Sequence, residues 1–349
     1  IAPGATWEAS FTVANSTSTC WFHPHAHGST GRQVVSGLAG LLIVDDGTLA
    51  PASLPDTWGV DDLALVLQDK RLLADGRIDY ALTASDQLVG YAGDRLLVNG
   101  MFGPTWRAPQ QWVRLRLLNG CNARILVLRL SDATPLLQIA NEAGLLAAPW
   151  PRSALTLAPG ERAEVLVNFG LARSGQVTRL LASTAGGGMG MGMGSGMGTG
   201  SETEVTALTM RVDRPSQPGA MASPPTRLSP AAAISAGPGA TVRTFSLEGG
   251  MMGSPFTING RRFDIGRIDL AVPPGAVEVW RFVNATGMAH PMHVHGVRMS
   301  LLSRDGSTPA PHEQGLRDTF LVDAMQTISV AVQTPLVTSS VPLMFHCHI

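Results

Sequence analysis

The chain has 349 residues, enough for two or three separate cores, with 15% charged residues and a formal net charge of -1. With Lys70 the one lysine among scattered arginines, nothing forms the basic stripe that nucleic acid requires. The apolar run "VVSGLAGLLIV" at 34–44 is broken by Gly37 and Gly40 and falls well short of the roughly 20 residues of a membrane span.

The sequence starts on Ile1 in the pattern "IAPGATWEASFTV", without the basic and apolar regions of a signal peptide, which reads as a fragment or a processed product. Short β-branched runs then follow one another, separated by Pro, Gly, Asn and Asp: "EASFTVAN", "LALVLQDKRLL", "WVRLRLLNG", "AEVLVNF" and "VEVWRFVN". Sustained 3.6-residue periodicity is missing, so the expected class is all-β, sandwich or barrel. A degenerate repeat supports copies of one unit: "PGATWEASFTVAN" at 3–15 resembles "PGAVEVWRFVN" at 274–284, and "QQWVRLRLLNG" at 110–120 shares its later half. The latter two each follow a run ending in Asn-Gly, at 96–100 and 256–260.

Composition shifts mark linkers at 45–62 and at 213–239, the second a Pro-, Ala- and Ser-rich stretch expected to be an extended strap. Between them "AGGGMGMGMGSGMGTG" at 185–200 cannot form a packed core and is expected as a surface loop. Three cysteines at wide spacing, Cys20, Cys121 and Cys347, make no disulfide framework. Cys20 and Cys121 sit in apolar, strand-like settings and are expected as buried structural thiols.

Eight of the nine histidines cluster: His23, His25 and His27 in "WFHPHAHG", His290, His293 and His295 in "HPMHVHG", and His346 and His348 in "FHCHI", with His312 alone. On a strand alternate side chains share a face, so each H-x-H pair sets two imidazoles side by side. The same alternation turns Cys347 to the face opposite His346 and His348, where His290 could join it. One thiolate with imidazoles favours copper, whereas structural zinc more often shows paired cysteines.

"CWFHPHAHG", "HPMHVHG" and "HCHI" resemble copper motifs of multicopper oxidases, and "WGVDDLALVLQDKRLLADGRIDYAL", "GDRLLVNG" and "RLRLLNGCNAR" look like the second domain of bacterial cuprous oxidases and laccases. The resemblance implies cupredoxin-like Greek-key β-sandwich domains in a three-domain architecture. A C-terminal part of domain 1 is expected over 1–48, domain 2 over 49–212, a linker over 213–240, and domain 3, truncated, over 241–349. It makes His290 and Cys347 ligands of the type 1 copper, which takes electrons from substrate. His293 would bind the type 2 copper, and His23, His25, His295, His346 and His348 the type 3 pair. His27 is expected to orient a ligand or its water. The family's first H-x-H motif and its further type 1 ligands after "HCHI" are not in the sequence, so the chain is expected to be an internal piece, inactive alone.

The activity so implied is one-electron oxidation of phenolic or other laccase-type donors, with Cu(I) as a further donor, coupled to reduction of O2 to water. A periplasmic or secreted monomer follows from the same resemblance. Met189, Met191, Met193 and Met197 could capture Cu(I), with incidental low complexity weighted equally, and Met251 and Met252 stand where the family carries a methionine-rich insert. In "NATGMAH" Met288 is kept, but Thr286 stands where a substrate-copper carboxylate would be, which favours bulky donors over a dedicated cuprous site. Met292 is expected in the core and Asp318 as structural support. The rivals are a two-domain copper nitrite reductase relative, a cell-division scaffold that has lost its ligands, and copper sequestration without turnover. Eight retained ligand positions argue against the scaffold.

Overall fold

The computed structural model describes residues 4–8, 10–47, 54–184, 204–228, 232–250, 254–336 and 341–349. The methionines at 189, 191, 193, 197, 251 and 252 lie outside these. Strands make up 44% of the chain and helix 5%.

Between Asp62 and Arg214 the β-branched runs build two facing sheets. One runs in the order Gly144–Arg152, Leu136–Asn141, Arg162–Asn168, Trp112–Asn119, Asp62–Lys70, Arg95–Val98, Met101–Phe102. The other runs Leu155–Leu157, Leu126–Leu130, Val177–Thr184, Val205–Arg214, Thr105–Pro109. Leu65, Leu67, Leu115 and Leu117 of the first meet Leu126, Leu128, Leu180 and Met210 of the second in one core, as period-two alternation demands. The Asn-Gly pairs turn hairpins: Asn99 and Gly100 have φ of 51° and 79°, Asn259 and Gly260 of 51° and 69°, the left-handed conformations such two-residue turns require.

A second pair of sheets follows. Thr257–Ile258, Val242–Glu248, Val277–Asn284, Thr327–Gln333, Arg298–Arg304 and Leu316–Arg317 form one, in that order; Thr319–Val322, His290–Val294 and Phe345–Cys347 form the other. Phe245, Trp280, Phe282, Met292, Phe320 and Val330 fill the space between them. The strap seats Leu228 against Ile139, Leu145 and Leu166 of one sandwich and Ile234 against Leu316 and Ala331 of the other, so it is anchored at these two points while most of its other described residues are exposed.

The earliest part of the chain contributes a hairpin-like pair, Ser18–Phe22 with Gly40–Val44, and a short helix Thr30–Val35 between them. Buried charges attach it. Thr19 Oγ1 donates to Glu164 Oε1 at 2.7 Å, Arg116 Nη1 donates to Thr19 Oγ1 at 3.0 Å, and Arg162 Nε donates to Thr19 O at 3.0 Å. Lys70 Nζ donates to Val35 O at the end of that helix. The repeat-like segment around "WEASFTV" forms no strand among the described residues; Trp7 and Phe11 are exposed there, because a strand persists only where a neighbour accepts its hydrogen bonds. Cys121 is buried beside Leu67 O, whereas Cys20 is only half-buried, 3.6 Å from Ser18 Oγ, because its strand has a single partner strand.

Candidate metal centre

The register of two strands decides which side chains meet. Phe345–Cys347 runs antiparallel to His290–Val294 with Met292 opposite Cys347, His293 opposite His346 and Val294 opposite Phe345. Facing residues on paired strands point the same way. One face of the pair therefore carries His290, Met292, Val294, Phe345 and Cys347, and the other carries His293, His295, His346 and His348. The first face packs on the core, where Met292 is 0% exposed. The second turns toward the early part of the chain, which brings His23 and His25 on the loop after Ser18–Phe22.

Six imidazoles form one continuous group. Ring centroids lie 4.5 Å apart for His23 and His25, 4.8 Å for His25 and His295, 4.8 Å for His293 and His295, 5.2 Å for His295 and His346, and 5.6 Å for His346 and His348. Trp21 closes one side, 4.5 Å from His23 and 5.5 Å from His348. Three carbonyls fix ring orientations: His23 Nδ1 bonds Pro24 O at 3.0 Å, His293 Nδ1 bonds Asp318 O at 2.8 Å, and His346 Nδ1 bonds Cys347 O at 2.8 Å. A carbonyl can only accept, so Nδ1 carries the proton in each and Nε2 is left with a lone pair. His346 Nε2 and His295 Nε2 face each other at 3.1 Å, and one nitrogen each from His25, His295 and His346 all lie within 4.8 Å of one another.

Burial keeps these rings neutral. It pulls His295 down to about 3 and His346 to about 4, with neighbouring imidazoles adding to the effect; His348 falls well below the usual imidazole range, and His23, His25 and His293 are lowered too. A group of uncharged rings with inward lone pairs is a cation site in its donor chemistry.

On the core face Cys347 Sγ lies 3.5 Å from His290 Nδ1 and accepts a 3.4 Å hydrogen bond from Ile349 N. Burial raises the thiol to about 12 and lowers His290 to about 4, so both are neutral and a metal entering there must displace the thiol proton. Phe256 covers His290 edge-on at 5.1 Å.

Two residues touch this assembly in ways the sequence did not give. Asp318 receives a bidentate pair from Arg162, at 2.8 and 2.7 Å, while its own carbonyl holds His293; it is thus tied to the imidazole group and not only to the core. Gly160 has φ +82°, and a Cβ there would lie 2.8 Å from His348 Cδ2. The signal for Asp318 was its neighbour Thr319, which also reaches His293 Nδ1 at 3.1 Å, but only the register reveals it. His27 departs from the expectation that it orients a ligand: it is exposed, and its ring neighbour is Phe263 at 5.9 Å. Position 27 lies past the last residue of the H-x-H pair, where the chain has already turned out toward solvent. His312 lies away from the group, its carbonyl accepting from Asn141 Nδ2 at 3.1 Å.

Family models described as multicopper oxidase match residues 1–48 and 238–349. A laccase-like multicopper oxidase, CueO, from a lignin-degrading Ochrobactrum sp. superposes with a TM-score of 0.84 at 35% identity, covering 97% of this chain and 74% of that one. The chain belongs to the multicopper oxidase family. McoA, the multicopper oxidase of Aquifex aeolicus, matches equally well at a TM-score of 0.84 and 31% identity, covering 97% of this chain and 74% of its own. Curated relatives carry another name: cell division protein FtsP of Sodalis glossinidius is 35% identical over 323 residues, 93% of this chain and 65% of that protein. FtsP of Xenorhabdus nematophila is 32% identical, covering 96% and 68%. The chain thus spans about two thirds of the length of these curated relatives. For a multicopper oxidase the implied metal is copper, and both donor sets fit it: a thiol beside an imidazole on one face, and clustered neutral imidazoles on the other.

Proposed function

We propose that this multicopper oxidase couples one-electron oxidation of phenolic or other laccase-type donors, with Cu(I) as a further donor, to reduction of O2 to water. The observation that carries the reading is the strand Phe345–Cys347, which sets Cys347 Sγ 3.5 Å from His290 Nδ1 on one face and presents His346 to His293 and His295 on the other. In this reading Cys347 and His290 hold a type 1 copper, His293 a type 2 copper, and His23, His25, His295, His346 and His348 a type 3 pair. Copper at these positions supplies the one-electron redox chemistry.

The chain's own residues do the rest. Cys347 is bonded directly to His346 and His348, and His346 Nδ1–H donates to Cys347 O at 2.8 Å, so the backbone offers a short covalent link with a hydrogen-bonded parallel. Asp318 O and Thr319 Oγ1 hold His293, and Trp21 flanks the rings of His23 and His348. The proposed division is 1–48, 49–212, 213–240 and 241–349, in a monomer working outside the cytoplasm.

The test is the full-length protein expressed with copper. A strong visible thiolate-to-copper band together with O2 uptake supports the oxidase, and Cys347→Ser removes both while the protein stays folded. A copper-free, colourless full-length protein overturns it. A second reading follows from the likeness to FtsP, a role in cell division; it predicts a division phenotype that persists in Cys347→Ser.

A further inference from the structure

The ring of His290 is held from behind by a chain of atoms whose hydrogens can be counted. Asn284 Nδ2 faces three carbonyls, Met288 O at 2.8 Å, Val322 O at 3.1 Å and Asp323 O at 2.8 Å. Carbonyls only accept, so the amide orientation is settled and Oδ1 points the other way. That Oδ1 takes Thr286 N–H at 2.9 Å and lies 2.8 Å from Thr286 Oγ1, which is also 3.0 Å from Met288 O. The one hydroxyl proton of Thr286 thus has two oxygen acceptors within reach. Thr286 Oγ1 is also 2.8 Å from His290 Nε2. Spent on either oxygen, that proton leaves the hydroxyl to accept from the ring, which places the ring proton on Nε2.

We infer that Asn284 and Thr286 are positioning residues that lock His290 as the Nε2–H tautomer, leaving the Nδ1 lone pair facing Cys347 Sγ. The relay is closed to water, Asn284 and Thr286 each being 2% exposed. It also sharpens the meaning of Thr286: a neutral hydroxyl spends its acceptor capacity on the ring, so this position offers no anionic ligand to a cationic donor. The inference rests on the proposed copper site for its purpose, not for its geometry.

The tautomer is read directly in copper-free, 15N-histidine-labelled full-length protein at neutral pH, from two-bond proton–nitrogen correlations. His290 is assigned by the signals lost in His290→Gln. The expected result is a protonated-type Nε2 and a lone-pair-type Nδ1, kept in Thr286→Ser and lost to a mixture in Thr286→Val. Copper affinity at the cysteine site should fall about tenfold in Thr286→Val and recover in Thr286→Ser. A wild-type ring protonated on Nδ1 overturns the inference, as does an unchanged ring spectrum in folded Thr286→Val. The wild-type measurement needs no variant to fold. A correct tautomer in a protein that takes up no copper would leave the relay standing and remove the copper reading instead.

Discussion

Gly160 makes one imidazole position possible. Its φ of +82° is strained for any residue with a Cβ, and the added atom would press on the His348 ring at 2.8 Å. Gly175 has nearly the same φ, +84°, with open space around it. Gly160→Ala and Gly175→Ala should share a backbone cost of about 1–2 kcal/mol, but only Gly160→Ala should also weaken copper binding by the imidazole group. Thermal unfolding reads the first effect and copper titration the second. Equal copper affinity in the two variants would refute the steric role.

Glu142 shows a different kind of residue-level tension. Burial pushes its carboxyl up to about 8; Arg317 and Arg162 oppose that shift, while Glu161 and Asp318 reinforce it. Its Oε2 has no hydrogen-bond partner among the described residues, and Arg317 Nε stands 3.8 Å away. An acid raised above its unfolded value binds more protons folded than unfolded, so its contribution to stability declines as pH rises from about 4.5 to about 8. Glu142→Gln imitates the protonated form. It should leave stability near pH 5 almost unchanged and raise it by on the order of 2 kcal/mol at pH 8, read from urea unfolding at the two pH values. Asp318 works in the opposite sense. Its carboxyl is held far below the usual range, mainly by Arg162 against the burial penalty, so its contribution is present at neutral pH and lost on acidification.

At the scale of the element, alternation was the informative signal. The H-x-H spacing and the cysteine between two histidines make the two-faced strand readable from the sequence alone, because strand geometry has a fixed period of two. The β class and the Asn-Gly hairpins were readable for the same local reasons. What the sequence could not reveal is the partner across a face. Arg114 and Arg116 alternate with Val113, Leu115 and Leu117 as if they lined a solvated face, yet both are buried, paired with Glu164 and, for Arg116, also with Asp62. Ser18–Phe22 covers them, more than 90 residues earlier in the chain, and no local pattern encodes that contact. Thr19 is the joint. Thr19→Val should remove a donor to Glu164 and an acceptor from Arg116 at constant shape, costing about 1–3 kcal/mol in urea unfolding and loosening the loop that carries His23. An unchanged midpoint would mean the strand is held by its apolar contacts instead.

Across the whole molecule, the imidazole group is a bridge between parts of the chain that are remote in sequence. His23 and His25 come from the loop after Ser18–Phe22, and His293, His295, His346 and His348 from the last sandwich, so no single sheet contains the set. A ligand that binds only the assembled form stabilises it by mass action, by about 2.7 kcal/mol at one hundred times its dissociation constant. Copper should therefore raise the melting temperature of the full-length protein, and a chelator should reverse the gain. Replacing His23 and His25 together by alanine should abolish most of that increment while changing the metal-free melting temperature little, since His25 is exposed and neither ring belongs to a hydrophobic core. Differential scanning calorimetry with and without copper separates the outcomes. If the double variant keeps the full copper increment, the metal is held within the last sandwich alone and the bridge is refuted; if it loses stability without copper as well, the two rings are part of the packing between these regions and not simply a site waiting for metal.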